Sequence, residues 1–113
     1  MIGTNEVPEI TPAELKARLD AGDVPLLVDV REHSEREIAD LPDLGQERVP
    51  TAELFLRMRE LEADRDIVVY CRSGSRSQWA ARVLLESGRD RVFNLRGGLL
   101  AWREEVDPSL TAY

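Results

Sequence analysis

The stretch DIVVYCRSGSRSQWAARVLLESG, residues 66–88, predicts a β-strand, a tight loop and an α-helix in direct succession. It opens with a run of apolar β-forming residues that leads into Cys71, the only cysteine of the chain. In its second half, Ala80, Val83 and Leu84 are spaced so that they share one face of a helix. A buried strand that leads directly into a helix is typical of an α/β fold.

The same alternation of strands and helices continues on both sides of this stretch. Short apolar runs predict strands at residues 26–30 and 91–95, and Val49 is a candidate for another short strand. Helices are predicted at residues 11–22, 34–39, 51–63 and 97–106. We therefore expect an α/β fold with a mainly parallel central sheet and helices on both faces.

Capping residues mark the starts of three of these helices. Thr11 and Glu14 form the pattern of a capping box, and Ser34 and Glu37 repeat it. Thr51 can cap the helix that follows it. Each of these helices is therefore expected to begin next to its capping residue.

The ends of the alternation set the expected domain boundaries. Residues 9–106 are predicted to form a single domain, with residues 1–8 as a lead-in and residues 107–113 as a tail. The chain has 113 residues, an ordinary size for one domain. A domain of this size can bury an adequate core without disulfides or metals.

Composition excludes several classes of function. The net charge is −7, from 22 acidic and 15 basic side chains, and this charge disfavours nucleic acid as a partner. A single cysteine cannot form an internal disulfide, and a single cysteine with a single histidine cannot make a Cys/His metal cluster. We expect neither a metal nor a cofactor.

The first residues, MIGTNEVPEI, contain neither the basic region nor the apolar run of a secretory signal. No apolar stretch of the sequence is long enough to span a bilayer. The sequence therefore predicts a soluble cytoplasmic protein with no membrane partner.

The loop after the central strand, residues 72–76, gathers features that attract an anion. The first N–H groups of a helix have no intrahelical partner, and the helix dipole adds partial positive charge there. Arg72 and Arg76 add full charges, and Gly74 lets the chain curl. Thiols in such surroundings have a pKa of roughly 3.5–7.5 instead of about 8.5. We therefore predict that Cys71 is a nucleophile.

Cys71 also has a simpler interpretation. A lone cysteine is often a small buried hydrophobic residue. A core cysteine, however, has no need of a glycine three residues later or of arginines one and five residues later. These neighbours favour a nucleophile over a core thiol.

A second strand ends in charged side chains. Asp29, Arg31 and Glu32 stand at the end of the apolar run that starts at Leu26. Ligands of open α/β sheets bind outside the carboxyl ends of the strands. We expect this strand end to lie near Cys71.

The sequence CRSGSR, residues 71–76, resembles the Cys-x-x-Gly-x-Arg active-site loop of the rhodanese family of sulfurtransferases. Three other stretches agree, in the family's order. LLVDVRE resembles the strand that ends in Asp-x-Arg, LPDLGQERVP resembles the Gly-His-Ile-Pro-Gly-Ala segment with the Ile-Pro that follows, and VFNLRGGLLAW resembles the closing strand with its Gly-Gly and tryptophan. The resemblance spans roughly residues 9–103 and implies a rhodanese-like form of the α/β fold.

The length of the loop separates two chemistries of the family's fold. Rhodaneses have six residues from cysteine through arginine, as this chain has, whereas the related phosphatases have seven. The resemblance therefore implies sulfur transfer through a persulfide on the cysteine, held by N–H groups of the loop. The implied catalytic residue is Cys71, and the implied substrate-binding loop consists of Arg72, Ser73, Gly74, Ser75, Arg76 and Ser77.

The resemblance also implies the partners of the reaction. The donor would be a small anion such as thiosulfate, or a protein persulfide, and Arg72 and Arg76 would steady its charge. Because the chain has no second cysteine, the acceptor must be external: cyanide, a thiol or a sulfur-carrier protein. The tail DPSLTAY resembles the end of rhodanese domains fused behind adenylyltransferases, which favours a carrier protein.

The sequence departs from the family pattern in one segment. Ala39, Asp40 and Asp43 stand where the family has glycine, histidine and glycine. In the family, residues matching Asp29 and Arg31 commonly brace the active-site region, and the same supporting role is expected here. The alternative is a charged strand end whose two residues pair with each other or with solvent.

Several other residues have competing interpretations. His33, the only histidine, is expected to be exposed and not a general base. Trp79 and Trp102 are expected to pack in the core, with Trp79 alternatively lining the pocket. The three serines of the loop could bind substrate, but Ser77 is expected to cap the helix.

Two alternative functions remain open from the sequence. One is a rhodanese module that binds a partner without catalysis, although such modules often lack the cysteine. The other is a phosphatase or arsenate reductase of the same fold, which the six-residue loop disfavours.

Overall fold

The computed structural model describes residues 6–62 and 64–113, so most of the predicted lead-in lies outside the described residues. A five-stranded, all-parallel sheet runs through its centre in the order β1-β5-β4-β2-β3. The strands are β1 (Glu9–Ile10), β2 (Leu26–Asp29), β3 (Glu47–Arg48), β4 (Ile67–Tyr70) and β5 (Val92–Leu95). The α-helices are α1 (Pro12–Asp20), α2 (Leu54–Arg57), α3 (Ser75–Glu86) and α4 (Gly98–Glu105). The predicted α/β class and parallel sheet are confirmed.

The helices cover both faces of the sheet because its central strands are apolar on both sides. Alternate residues of a strand point to opposite faces. On one face, Val28 and Val69 pack with Leu54 of α2 and with Leu84 of α3. The other face has a second core of buried residues from the strands, α1 and α4: Leu15, Leu27, Val68, Leu99 and Trp102.

The edge strands are short, and the sequence pattern locates them poorly. β1 has only two residues and matches none of the predicted strands. β3 covers Glu47–Arg48, just before the candidate strand residue Val49, whose N–H donates to the Asp29 carbonyl at 2.9 Å. Two-residue strands carry too little apolar pattern to be recognised from sequence.

Of the two predicted capping boxes, one agrees with the structure and the other differs from it. Thr11 and Glu14 form the expected capping box, with backbone-to-side-chain hydrogen bonds of 2.8 and 3.1 Å. The predicted helix at 34–39, however, is a 3-10 turn, His33–Glu37, and Glu32 caps it instead of Ser34.

Arg31 holds this turn against the end of β2. Its guanidinium donates to the carbonyls of Glu35, at 3.3 Å, and Ala39, at 2.8 Å. The Glu35 carbonyl also accepts from the N–H groups of Ile38 and Ala39, at 3.0 and 3.2 Å.

The predicted helix at 51–63 is also broken. It consists of the 3-10 turn Thr51–Glu53, the single α-turn α2 and the 3-10 turn Met58–Glu60, and Thr51 does not cap it. Arg89 donates to the carbonyls of Met58 and Leu61 at 3.0 and 2.8 Å, which ends the segment. Residue 63 lies outside the described residues.

The tail, residues 107–113, folds back onto the domain. Leu110 and Tyr113 pack against the core on the α1/α4 face, and the Arg103 side chain donates to the Leu110 carbonyl at 2.7 Å. Within residues 6–62 and 64–113, no helix has the length and apolar character needed to cross a bilayer.

Candidate active site

The thiol of Cys71 lies at the carboxyl end of β4, inside a ring formed by the loop that follows. Cys71 is fully buried. The Gly74 N–H donates to Sγ at 3.1 Å and the Ser77 N–H at 3.5 Å. Gly74 has a φ of +98°, a left-handed conformation that lets the chain turn back over the sulfur. The structure therefore points two backbone donors at the sulfur atom.

The two consecutive glycines after β5 bring helix α4 directly beneath this loop. The N–H groups of Leu99 and Leu100 donate to the carbonyls of Cys71 and Arg72, both at 3.0 Å. A Cβ on Gly98 would lie 2.5 Å from the Cys71 carbonyl oxygen, so only glycine permits this approach. The start of helix α4 thereby holds the backbone of Cys71 and Arg72 in place.

A buried polar pair joins the loop to strand β5. The Ser77 hydroxyl donates to Asn94 Oδ1 at 2.6 Å, and Asn94 Nδ2 donates to the Gly74 carbonyl at 3.1 Å. The expectation that Ser77 caps the helix is therefore wrong, because Gly74 occupies the capping position and Ser77 is turned into the site. Asn94 escaped the sequence reasoning, although a polar residue in an otherwise apolar strand is a usable signal.

The surroundings of Cys71 lower the pKa of its thiol. Burial acts in the opposite direction, but hydrogen bonds from the Ser77 hydroxyl and from the N–H groups of Ser77, Gly74 and Ser73 outweigh it. The Ser77 hydroxyl has one proton and lies 3.4 Å from Sγ but 2.6 Å from Asn94 Oδ1. We therefore assign the main stabilisation of the thiolate to the backbone amides. Arg76 also interacts with the thiolate through its charge, although its guanidinium pairs with Glu35.

Arg76 is held by Glu35, from the turn after β2. The guanidinium makes a two-pronged ion pair with the carboxylate, at 2.7 and 2.9 Å. Hydrogen bonds from Arg76 and from the Tyr113 hydroxyl hold the pKa of Glu35 at about 2, against the effect of its partial burial. The chain separation of Arg76 and Glu35 explains why sequence reasoning missed this carboxylate.

Arg72 is held by Tyr113, from the tail. Its Nε donates to the Tyr113 carbonyl oxygen, and its guanidinium carbon lies 5.4 Å from the centre of the Tyr113 ring. This distance is within the range of a cation–π interaction. The tail residue therefore orients the arginine next to Cys71.

Asp29 and Arg31 form a buried ion pair with two hydrogen bonds of 2.9 Å. Arg31 is 1% exposed and also contacts Asp40 and Tyr113. Within the described residues, no hydrogen bond joins either member of the pair directly to residues 72–77. Their geometry suits indirect support, through Tyr113 and the turn that carries Glu35.

Asp40 occupies the position at which the resembled family has histidine. Its carboxylate accepts from the Tyr70 hydroxyl at 2.7 Å and from Arg31 at 3.1 Å, and it pairs with Arg48 at 2.7 Å. The Asp40 side chain thus contacts two guanidinium groups and a phenol. The aspartate at the position of the family's histidine is therefore held by Tyr70, Arg31 and Arg48.

The two tryptophans have different environments. Trp102 is 2% exposed and lies in the core, as expected, but Trp79 is 40% exposed. Trp79 packs edge-to-face with the exposed Phe55 at 6.0 Å between ring centres. It lines a shallow hollow with Thr51, Ala52, Ser75 and Arg76. Trp79 is therefore a packing residue at the surface and not in the core, and it lines the hollow beside the loop.

His33 lies on the surface, as predicted. Its Nε2 is 3.9 Å from a carboxylate oxygen of Glu53, and both side chains are about half exposed. Neither residue lies in the ring around the sulfur.

Known proteins match this sequence over most of its length. The rhodanese-like domain family matches residues 11–105. The chain belongs to the rhodanese-like domain family. A sulfurtransferase of Allochromatium vinosum is 46% identical to this rhodanese-like chain over 97 residues, which cover 85% of the chain and 88% of the relative. A putative sulfur carrier protein of Bacillus subtilis, YrkF, is 34% identical over 103 residues, which cover 91% of the chain and 55% of the relative.

The fold agrees with solved structures of the family. The crystal structure of a rhodanese-related protein from Thermoplasma volcanium has a TM-score of 0.78 and 27% sequence identity with this rhodanese-like chain. The match covers 94% of the chain and 99% of the solved structure. Both the rhodanese-like fold and the family resemblance drawn from four short motifs are confirmed. The family and its sulfurtransferase members support sulfur transfer as the general chemistry of the chain.

Proposed function

We propose that this chain is a rhodanese-type sulfurtransferase that carries a sulfane sulfur as a persulfide on Cys71. The observation that carries the proposal is the ring of the loop around Sγ, with the N–H groups of Gly74 and Ser77 directed at the sulfur. Those donors can stabilise a thiolate before transfer and a persulfide anion after it. The six-residue loop favours one added sulfur atom over a phosphoryl group.

The first half-reaction loads the cysteine. The Cys71 thiolate attacks the outer sulfur of thiosulfate and forms a new S–S bond. The S–S bond of thiosulfate breaks at the same time, and its electron pair leaves with sulfite. No external oxidant or reductant is required. Because the pKa of the Cys71 thiol is lowered, the attacking thiolate is available without a neighbouring general base.

The second half-reaction removes the outer sulfur. A nucleophile attacks that sulfur, and the electron pair of the broken S–S bond returns to Cys71 as a thiolate. Cyanide would give thiocyanate, and a thiol would give a new persulfide. The chain has no second cysteine that could act as an internal acceptor.

Anionic donors would be bound by the charges at the mouth of the loop. Arg72 uses Nε for Tyr113, which leaves its two terminal nitrogens without a hydrogen-bond partner among residues 6–62 and 64–113. Arg76 uses its two terminal nitrogens for Glu35 and lines the hollow beside the loop. Thiosulfate, with two negative charges, suits such a mouth better than a neutral donor does.

We assign a sulfur-carrier protein as the acceptor in the cell, and propose that the transfer takes place in the cytoplasm. The exposed side chains of Phe55 and Trp79 pack edge-to-face and form a small apolar patch beside the hollow that adjoins the loop. Exposed apolar patches often mark protein-binding surfaces. The name of the Bacillus subtilis relative, a putative sulfur carrier protein, supports the same chemistry.

A comparison of two acceptors tests this assignment. Trp79→Ala should slow transfer to a carrier-protein acceptor by about tenfold, since aromatic residues are typical interface anchors. Transfer to cyanide should stay unchanged, because cyanide needs no docking surface. Equal losses with both acceptors would contradict the assignment and leave Trp79 as a residue of the loop's own environment.

The main proposal is tested by intact mass spectrometry after incubation with thiosulfate. We expect a gain of one sulfur atom that cyanide removes and that Cys71→Ser abolishes. A chain that gains no sulfur from thiosulfate or from any persulfide donor is not a sulfurtransferase of this kind. Hydrolysis of a generic phosphoester, lost in the same Cys71→Ser variant, would instead support the phosphatase alternative.

A further inference from the structure

The tail residue Tyr113 contacts three charged side chains at the candidate active site. Its hydroxyl accepts a hydrogen bond from Arg31 at 3.0 Å and donates one to Glu35 at 2.8 Å. Its carbonyl oxygen accepts from Arg72 Nε, and its ring lies under the Arg72 guanidinium. Tyr113 thus contacts both the loop, at Arg72, and the turn after β2, at Glu35.

These contacts extend to the second arginine through Glu35. The Glu35 oxygen that accepts from Tyr113 also accepts from Arg76 at 2.9 Å, and the other oxygen accepts from Arg76 at 2.7 Å. Arg72 and Arg76 are therefore both tied to Tyr113, one directly and one through a shared carboxylate. The two arginines flank the short loop that contains Sγ.

The position of Tyr113 is itself fixed by packing. Tyr113 and Leu110 pack against the buried core of the α1/α4 face, and Arg103 holds the Leu110 carbonyl. A tail anchored in this way can hold a long side chain in one orientation. A free arginine loses rotamer entropy when it binds a ligand, and an arginine that is ordered beforehand loses less.

We propose that Tyr113 is a positioning residue that orders Arg72 and Arg76 for an anionic sulfur donor. The inference rests on the proposed sulfur transfer for the identity of the donor. The arrangement of charge around Cys71 does not depend on that identity. Tyr113 touches neither Sγ nor the atoms that react, so it acts through the two arginines.

The conservative variant Tyr113→Phe separates positioning from packing. It keeps the ring and the carbonyl oxygen but removes the hydroxyl that holds Glu35. We expect the KM for thiosulfate to rise about threefold to tenfold with a nearly unchanged kcat, the result of losing the hydroxyl's hydrogen bonds to Glu35 and Arg31. The matched control is Ser109→Ala in the same tail, whose side chain bonds only to Asp107 among the described residues.

A second readout does not require sulfur transfer. Iodoacetate and iodoacetamide both alkylate a thiolate, but only iodoacetate carries a negative charge. The ratio of their rates at Cys71 reports the charge at the mouth of the loop, and any change in the thiolate fraction cancels from it. Tyr113→Phe should lower this ratio, and a chain ending at Leu110 should lower it further, because it also releases Arg72.

The kinetic and alkylation measurements can each overturn the inference. The inference is wrong if the alkylation-rate ratio and the KM of Tyr113→Phe both match those of Ser109→Ala. It is also wrong if Tyr113→Phe slows both alkylating reagents equally, because that result would show a structural role alone. If the wild-type chain takes no sulfur from thiosulfate or from any persulfide donor, the proposed function fails, while the alkylation ratio still decides the role of Tyr113.

Discussion

Gly98 lies so close to Cys71 that a Cβ on this glycine would be 2.5 Å from the cysteine's carbonyl oxygen. It would also lie 2.6 Å from the carbonyl oxygen of Arg72. Both obstacles are backbone atoms of the active-site loop, so a rotamer change cannot relieve the overlap. Helix α4 and the loop can keep their hydrogen bonds only while this position lacks a side chain.

Gly98→Ala should therefore destabilise the chain and displace the loop. We expect a loss of about 3 kcal/mol in the free energy of unfolding, from the left-handed φ and the overlap together. Urea unfolding measures it, and sulfur loading of Cys71 should fall in parallel. Gly45→Ala is the matched control, because Gly45 has a similar φ of +77° but no atom within 4 Å of its added Cβ. Equal losses in both variants would show that backbone conformation alone is responsible.

Ser77→Ala should raise the pKa of the Cys71 thiol. The variant removes the hydroxyl near Sγ and leaves Asn94 Oδ1 without its donor, which disturbs the start of helix α3. The iodoacetamide rate below the pKa should drop roughly threefold to tenfold, in proportion to the lost thiolate. Its pH profile should move to higher pH. Ser75→Ala, an exposed serine of the same loop, should leave the profile where it is.

Glu35→Gln should change how stability depends on pH. The pKa of Glu35 is about 2 in the folded chain and 4.5 ordinarily, so the charged carboxylate stabilises the fold. That contribution is complete above pH 4.5 and is lost as the pH falls toward 2. At neutral pH, the free energy of unfolding of the wild type should exceed that of the variant by about 1–3 kcal/mol.

The difference between the two chains should shrink on acidification. Urea unfolding at a series of pH values measures it, with the exposed Glu37→Gln as the control from the same turn. A difference that stays constant down to pH 2 would show that the ion pair with Arg76 does not stabilise the fold.

Arg76→Ala should impair the use of thiosulfate more than Arg72→Ala does. Loss of Arg76 leaves the Glu35 carboxylate without its partner, so a negative charge near the mouth of the loop then repels the anionic donor. We expect the KM to rise about tenfold or more for Arg76→Ala and less for Arg72→Ala. Steady-state kinetics at constant ionic strength measure both. Arg91→Ala, just before β5 and therefore at the amino end of the strands, away from the loop, controls for the change in net charge, and equal or reversed losses would contradict the ranking.

Sequence reasoning predicts the parts of the molecule that rest on local pattern. The apolar runs of β2 and β4 indicate buried parallel strands because both faces of these strands are covered. The loop after β4 is recognisable because its cysteine, glycine and arginines follow one another closely. Short edge strands escape such reasoning because two residues carry too little apolar pattern. The end of the broken segment at 51–61 escapes it because Arg89, from a distant part of the chain, holds the carbonyls there.

The parts of the site that escape prediction depend on long-range contacts. Glu35 is 41 positions from Arg76 and 78 positions from Tyr113. Asn94 reaches the loop only because β5 pairs with β4. Nothing in the local sequence of Glu35 or Tyr113 distinguishes them from an ordinary surface carboxylate or an ordinary tail aromatic.

The wide spacing of these contacts affects when Cys71 becomes reactive during biosynthesis. The thiol emerges from the ribosome before Asn94, the glycine pair and the tail have been made. Until those later residues dock, the sulfur belongs to an unfinished sheet and has the chemistry of any free cysteine. We therefore expect Cys71 to become reactive only after Asn94 and the glycine pair have been made and have docked against the loop.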